Sequence, residues 1–106
     1  MSFQVRDDNG YVIPQVFDVG ATQVFTVTTS SVQSTAFGAQ TRFVRVAVSN
    51  GHCHVQIGSS PTASITTSVM IPNNWAEVFA CNPGDKIAVI KDVAVTLSTM
   101  SVTELV

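Results

Sequence analysis

The chain has 106 residues, of which 45% are hydrophobic and only 11% are charged, whereas roughly 25% of residues are charged in an average soluble domain. This length suffices for one domain, residues 1–106, with a hydrophobic core of its own. Seven acidic and five basic residues give a formal net charge of -2, which excludes the strongly basic surface that attracts nucleic acids and anionic membranes.

Valine, isoleucine and threonine together account for 36 residues, whereas leucine occurs only at Leu97 and Leu105. β-Branched side chains are restricted in helices and pack well on pleated strands, so the composition predicts an all-β fold. No basic segment followed by an apolar run opens the sequence, and the uncharged stretch 46–76 is too polar for a membrane span. We therefore expect neither a secretion signal nor membrane association.

Turn signals recur at short intervals along the chain and separate short strand-like runs. The first turn is predicted over 7–10, and a strand interrupted by Pro14 is predicted over 11–19. A second strand, in which side chains alternate between two faces, is predicted over 23–29.

The clearest local pattern is the segment TRFVRVAVSNGHCHVQIG, in which two alternating runs flank Asn50-Gly51. An Asn-Gly pair readily supplies the positive φ angles of a type I′ turn, so a β-hairpin is predicted here. In that register one face belongs in the core, and it carries Val44, Val46, Val48, Cys53, Val55 and Ile57. The opposite face carries Phe43, Arg45, Ala47, His54 and Gln56.

The remaining sequence continues the same alternation of short strands and turns. Strands are predicted over 65–71, 75–81, 86–90, 93–97 and 100–104. The segment Asn82-Pro83-Gly84-Asp85 fits a type II turn, because proline suits its second position and glycine its third. Eight or nine strands joined in this way predict an antiparallel β-sandwich of jelly-roll type.

His52 and His54 are the one pair of candidate metal ligands, because residues two apart on a strand point to the same face. The pair resembles the H-x-H motif of the cupin jelly rolls, but no glutamate follows His54 within a few residues and the chain has no third histidine. We therefore predict no metal site and interpret both as ordinary histidines beside a turn. A cupin-like metal-binding enzyme is the least favoured alternative.

Other catalytic patterns are absent from the sequence. There is no pair of positioned carboxylates, no G-x-S-x-G nucleophile elbow and no glycine-rich phosphate loop. No catalytic or cofactor-binding residue and no cofactor is predicted, and the protein is not expected to be an enzyme. Cys53 and Cys81 are interpreted as small buried hydrophobic residues with reduced thiols, and a single disulfide between them is the alternative.

Aromatic side chains are the usual platform for carbohydrates, and Trp75 is the only tryptophan. We expect Trp75 to cap the core, as a lone tryptophan in a β domain usually does. The alternative, with Trp75 on a loop rim, is a glycan-binding or adaptor module.

Long stretches of the sequence, 19–41 and 46–76, contain no charged side chain. Strand edges without charge invite pairing with other chains, and a surface this poor in charge favours a permanent assembly. Apolar residues near the two ends are weak candidates for the interface, namely Phe3, Val5, Leu105 and Val106.

The segments RFVRVAVSNGHCHVQIGSSPTAS (42–64) and FACNPGDKIAVIKDVAVTLSTMSVTEL (79–105) show a further likeness. Their Gly-x-Cys-His strand, Ile-Gly-x-x-Pro-Thr-Ala turn, Pro-Gly-Asp turn and terminal Val-Thr-Glu-Leu resemble small jelly-roll virion proteins of tailed bacteriophages. The resemblance covers about the C-terminal two-thirds of the chain. It implies a structural component of the virion, assembled in the host cytoplasm.

From the resemblance and the missing catalytic pattern we expect a capsid cement or decoration protein. Such a protein would bind the major capsid protein and itself, as a homodimer or homotrimer, and would have no nucleic-acid or membrane partner. By binding only the assembled shell, it would stabilise the phage head.

Overall fold

A computed structural model describes residues 18–106, and within this range the protein is all β. The eight strands are β1 (Val19–Thr26), β2 (Val32–Gln33), β3 (Phe43–Ser49), β4 (Cys53–Gly58), β5 (Val69–Ile71), β6 (Trp75–Ala80), β7 (Lys86–Ile90) and β8 (Thr99–Leu105). The predicted turn over 7–10, most of the strand predicted over 11–19 and the interface candidates Phe3 and Val5 lie outside the described residues. None of the described residues forms a helix long and apolar enough to cross a membrane.

The strands form two antiparallel sheets of four strands each. The first sheet has the order β1-β8-β3-β6, and the second has the order β2-β7-β4-β5. Every connection between consecutive strands passes from one sheet to the other, except the one between β4 and β5. This is the eight-stranded jelly-roll arrangement, so the predicted antiparallel β-sandwich is confirmed.

The hairpin predicted around Asn50-Gly51 is wrong. β3 pairs with β6 and β8 in the first sheet, whereas β4 pairs with β5 and β7 in the second. The chain therefore turns a corner between the sheets at Asn50-Gly51. Asn50 has φ 71°, but Gly51 does not share this left-handed conformation, so the type I′ turn does not form.

Gly51 is required at this corner for a steric reason. A Cβ on Gly51 would clash with the carbonyl oxygen of Leu97 and with the side chain of Val95. Ser98 reinforces the contact, because its hydroxyl donates a 2.8 Å hydrogen bond to the carbonyl of Gly51. The corner is thus packed directly against the segment that leads into β8.

The predicted core residues are nevertheless in the core. Val44, Val46 and Val48 point inward from the first sheet, and Cys53 and Val55 point inward from the second. Ile57 is half-buried against them. The other large hydrophobic side chains that are fully buried come from β5, β7, β8 and the residue that follows β1, namely Val27, Ile71, Ile87, Val89, Met100 and Val102. The two alternating runs therefore face each other across the sandwich instead of sharing one sheet face.

Other predicted strands differ from the structure in extent. The strand predicted over 23–29 begins at Val19, and the one predicted over 65–71 is shortened to Val69–Ile71. Residues 93–97 form a turn, and the two-residue strand β2 was not predicted. The strand KIAVI is found as predicted, over Lys86–Ile90.

The predicted type II turn is confirmed. Gly84 has φ +83°, and the N–H of Asp85 donates a 3.0 Å hydrogen bond to the carbonyl of Asn82. The carboxylate of Asp85 accepts a 2.9 Å hydrogen bond from the N–H of Asn82, so this acid serves its own turn.

Candidate functional site

The outer faces of the two sheets differ in how they are covered. The loop 59–68 folds over the second sheet, where the carbonyl of Pro61 accepts a 2.7 Å hydrogen bond from Nε2 of Gln33. The N–H of Ala63 donates to the hydroxyl of Ser31 at 2.9 Å. Ala88, which points outward from β7, is fully buried as a result. No described segment covers the first sheet in the same way.

The outer face of the first sheet is almost free of charge. The registers of its three ladders put on this face Thr22, Val24, Thr26, Phe43, Arg45, Ala47, Ser49, Ala76, Val78, Ala80, Thr99, Ser101 and Thr103. Each of these residues is exposed or half-buried, and Arg45 is the single charged one among them. Leu105, which the registers place on the same face opposite Phe43, is only 7% exposed, so the end of the face around it is covered. Val24 and Val78 are 68% and 50% exposed. This flat surface of small and β-branched side chains is called the bare face below.

One edge of the first sheet has the same character. β1 has eight residues, carries no charge, and pairs on one side with β8. No strand among residues 18–106 pairs with its other side. The two edges of the second sheet are short by comparison, because β2 has two residues and β5 has three. Short edges are protected against pairing with other chains, whereas a long uncharged edge is not.

A second cluster of interest joins His52 and His54 to Asp92 on the outer face of the second sheet. His54 lies opposite Ile90 in the β4–β7 ladder, and the same register continued outward sets His52 opposite Asp92. No carboxylate follows His54 closely in the sequence, but Asp92, two residues beyond the end of β7, brings one next to the two histidines. Sequence reasoning missed Asp92 because its proximity depends on the pairing of β4 with β7.

Both imidazoles lie close to the carboxylate of Asp92. Nε2 of His52 lies 3.0 Å from Oδ2 of Asp92, and Nε2 of His54 lies 3.6 Å from the same oxygen. The hydrogen bond from His52 is the largest of several causes that lower the pKa of Asp92. His54 itself is buried, and its Nδ1 lies 3.2 Å from the carbonyl of Ser68 in the covering loop.

Both cysteines are free thiols, so the alternative of a disulfide between them is not found. Burial raises the pKa of Cys53 to about 11, although its hydrogen bond with Ser98 acts in the opposite direction. Cys81 is half-buried beside an open depression of about 340 Å³. Burial, followed by the carboxylates of Asp85 and Glu104, raises its pKa. Thiols with raised pKa values are poor nucleophiles, so neither cysteine has the environment of a catalytic one.

Trp75 does not cap the core, in contrast to the expectation from the sequence. It begins the edge strand β6 and is 54% exposed. Its indole N–H donates a 3.2 Å hydrogen bond to the carboxylate of Glu77. The register sets Trp75 opposite Val48 on the inner face of the sheet, but β6 is an edge strand and Trp75 is its first residue, so the ring lies at the margin of the core.

Comparison with known proteins identifies no family. No family model and no curated protein matches the sequence. Among solved structures, a protein of unknown function (DUF1255) from Acinetobacter sp. ADP1 shares 14% identity and a TM-score of 0.49 over 99% of this chain and 79% of its own.

Two structures of HppE with iron(II), one of them with substrate, are also similar to the protein. They share 12% identity and TM-scores of 0.52 and 0.51, and the alignments cover 95% and 93% of this chain. The chain spans 61% and 63% of the HppE chains in these structures, which is less than two thirds of their length. At this identity the likeness supports the fold alone.

Proposed function

We propose that the protein is a non-enzymatic structural component of a virion, a capsid decoration or cement protein of a tailed bacteriophage. In this proposal it binds across neighbouring subunits of the major capsid protein and stabilises the assembled head. The observation that carries the proposal is the bare face, an exposed sheet surface with Arg45 as its only charged side chain. The resemblance of segments 42–64 and 79–105 to phage virion proteins supplies the identity of the partner.

The chemistry of the bare face suits a permanent contact. Four strands about 4.8 Å apart and about seven residues long form a patch of a few hundred Å². Threonine, serine, valine and alanine side chains lose little when water is removed, whereas each buried unpaired charge costs several kcal/mol. A partner can therefore cover this surface without having to neutralise it.

Stabilisation of the head follows from mass action. A protein that binds the assembled shell but not the free capsid subunits lowers the free energy of the shell relative to that of the free subunits. The gain grows with the logarithm of the ratio of its free concentration to its Kd, and amounts to about 2.7 kcal/mol per site at about one hundred times Kd.

The proposal also includes self-association. The uncharged outer edge of β1 supports it, because this edge can pair with a strand of a second copy. Analytical ultracentrifugation of the full chain measures this directly. We expect a dimer or trimer that Ala21→Lys, at an exposed position of β1, converts to monomer. A monomeric wild-type protein would contradict this part of the proposal.

The capsid-binding experiment uses heads that lack the protein and recombinant full-length chain added back. We expect addition to raise the thermal stability of the heads and Val78→Asp, on the bare face, to abolish binding. Val69→Asp is the matched control, because Val69 is 52% exposed against 50% for Val78 and lies on the second sheet. Unchanged head stability, or absence of the protein from virions, would overturn the proposal; loss of binding in both variants would overturn the assignment to the bare face.

A glycan-binding or adaptor module of a tail or fibre is a second candidate, and the exposed ring of Trp75 favours it. A glycan array probed with wild-type protein and with Trp75→Ala separates the two functions. Binding that requires Trp75, together with no effect on head stability, would replace the capsid proposal with this one.

A further inference from the structure

We propose that His52, His54 and Asp92 form a binding site for one divalent first-row transition-metal ion, and that Zn²⁺ fits its donors best. The site lies on the outer face of the second sheet, away from the bare face. It would fasten the segment after β7 to β4, and it does not depend on the function proposed above.

The backbone places the three donors without strain. His52 and His54 are two residues apart, so their side chains leave the same face of the chain. Asp92 follows the last residue of β7 by two positions and lies opposite His52 in the continued β4–β7 register. Strands β4 and β7, together with the residues that flank them, therefore place two imidazoles and one carboxylate at one point in front of the sheet.

The distances between the donors suit a small cation. Two ligands of tetrahedral zinc, each about 2.0–2.1 Å from the metal, are about 3.3–3.4 Å apart. The separations from Oδ2 of Asp92 are 3.0 Å to Nε2 of His52 and 3.6 Å to Nε2 of His54, one on each side of that value. One ligand atom from each of the three residues lies within 4.8 Å of the other two. Ligand atoms that are still farther apart than this value can be brought together by rotation of the His52 side chain, which is about one third exposed.

The environment of His54 points to a cation between it and Asp92. The carbonyl of Ser68 can only accept a hydrogen bond, so Nδ1 of His54 carries the hydrogen. In the neutral ring Nε2 then presents its lone pair to the carboxylate oxygen 3.6 Å away. A cation between these two atoms, either a proton or a metal ion, is bound by both of them. A carbonyl that holds the other ring nitrogen is also the usual support of a histidine ligand.

The donor set selects the type of metal. Imidazole nitrogens together with one carboxylate suit zinc and its first-row neighbours, whereas calcium and magnesium take mainly oxygen ligands. The carboxylate offsets one of the two positive charges. Because His52 and Asp92 are each about one third exposed, a fourth position is left for water. For His52 to bind through Nε2, its hydrogen must move to Nδ1, a tautomer change that solvent can assist.

Isothermal titration of chelator-treated, full-length protein with ZnCl₂ tests the proposal. We expect one zinc ion per chain, with a rise in Tm of roughly 10 °C at about one hundred times Kd. Asp92→Asn keeps the shape of the side chain and removes its charge, and we expect it to weaken binding about tenfold or more. His52→Gln, at a part-exposed position, should do the same. Glu77→Gln is the matched control, since it removes a carboxylate from the other sheet and should leave the affinity unchanged.

The absorption spectrum of the Co²⁺-loaded protein provides a second measurement, since four-coordinate cobalt absorbs far more strongly than the octahedral aqua ion. Strong visible bands that Asp92→Asn abolishes support the site. Zinc binding below one ion per chain would overturn it. So would binding that is equally tight in the wild-type, Asp92→Asn and His52→Gln proteins, because the zinc would then be held elsewhere.

Discussion

Ser98 and Gly51 are joined by a 2.8 Å hydrogen bond from the serine hydroxyl to the glycine carbonyl, and this bond fastens the corner between β3 and β4 to the chain entering β8. Gly51 lies where the chain passes from β3 in the first sheet to β4 in the second, and Ser98 lies where it returns from β7 to β8. The corner therefore depends on close backbone contact.

Gly51→Ala should be strongly destabilising, because the new Cβ would clash with the backbone carbonyl of Leu97. We expect the free energy of unfolding to fall by about 3 kcal/mol or more, because overpacking typically costs about 1–3 kcal/mol and this clash is with backbone that cannot move aside easily. Gly58→Ala is the control, since a Cβ at Gly58 meets nothing within 4 Å, and its effect should stay within about 1 kcal/mol. Urea denaturation measures both, and equal losses would show that the corner is not sterically constrained.

Glu104 should contribute to stability through one buried and one part-buried hydrogen bond. Its carboxylate accepts from the N–H of Gly38 at 2.8 Å and from the hydroxyl of Thr41. Glu104→Ala leaves both donors unpaired and should cost about 2–4 kcal/mol, whereas Glu104→Gln, which retains an acceptor, should cost about 1–2 kcal/mol. Chemical denaturation compares the two variants. A Glu104→Ala protein as stable as the wild type would show that the carboxylate serves no structural purpose.

The buried thiol of Cys53 should make stability depend on pH in the alkaline range. Its pKa is raised from 9.0 to about 11 in the folded protein, so below pH 9 both states hold the proton. Between about pH 9 and 11 the unfolded chain releases the proton and the folded one retains it. The free energy of unfolding should therefore fall with rising pH, by up to about 1.4 kcal/mol per pH unit.

Cys53→Ala provides the comparison for this effect. The variant loses stability at every pH from the cavity it creates, but it lacks the titrating thiol. Its unfolding free energy should decline less steeply than that of the wild type over the same pH range. Parallel curves for the two proteins would exclude Cys53 as the source of the alkaline loss.

Gly84 should be sensitive to substitution for a conformational reason alone. Its φ of +83° is unfavourable for other residues, yet a Cβ there would meet nothing within 4 Å. Gly84→Ala should cost about 1–2 kcal/mol, and Gly84→Asn should cost less because asparagine tolerates the left-handed region better. Thermal unfolding of the two variants measures the difference. Equal stability of all three proteins would contradict the type II turn.

In the segment around Asn50-Gly51 the alternation predicted which side chains are inside, but it did not predict which strands pair. The alternation predicts Val46 and Val55 to be cross-strand neighbours, yet each pairs with other strands and they enter the core from opposite sheets. Alternation defines the inward face of each run, and a hairpin and a corner bury the same residues. What distinguishes the corner from a hairpin is the close approach of Gly51 to Leu97, and Leu97 is too far along the chain for local sequence to predict this contact.

The histidine cluster shows the same limit. His52 and His54 were recognised from their spacing alone, because a strand places such a pair on one face. Asp92 was recognisable only with knowledge that β4 and β7 pair in a register that matches His54 with Ile90. The bare face likewise appears only after β1, β3, β6 and β8 are arranged in one sheet.

The order of strands in the first sheet also limits when this protein can fold. β8 lies between β1 and β3 and is the last of the eight described strands in chain order. While it is still inside the ribosome, the exposed part of the chain lacks the strand that connects β1 to the rest of the sheet. We therefore expect the first sheet to form only after β8 has emerged, with the uncharged β1 available to chaperones until then.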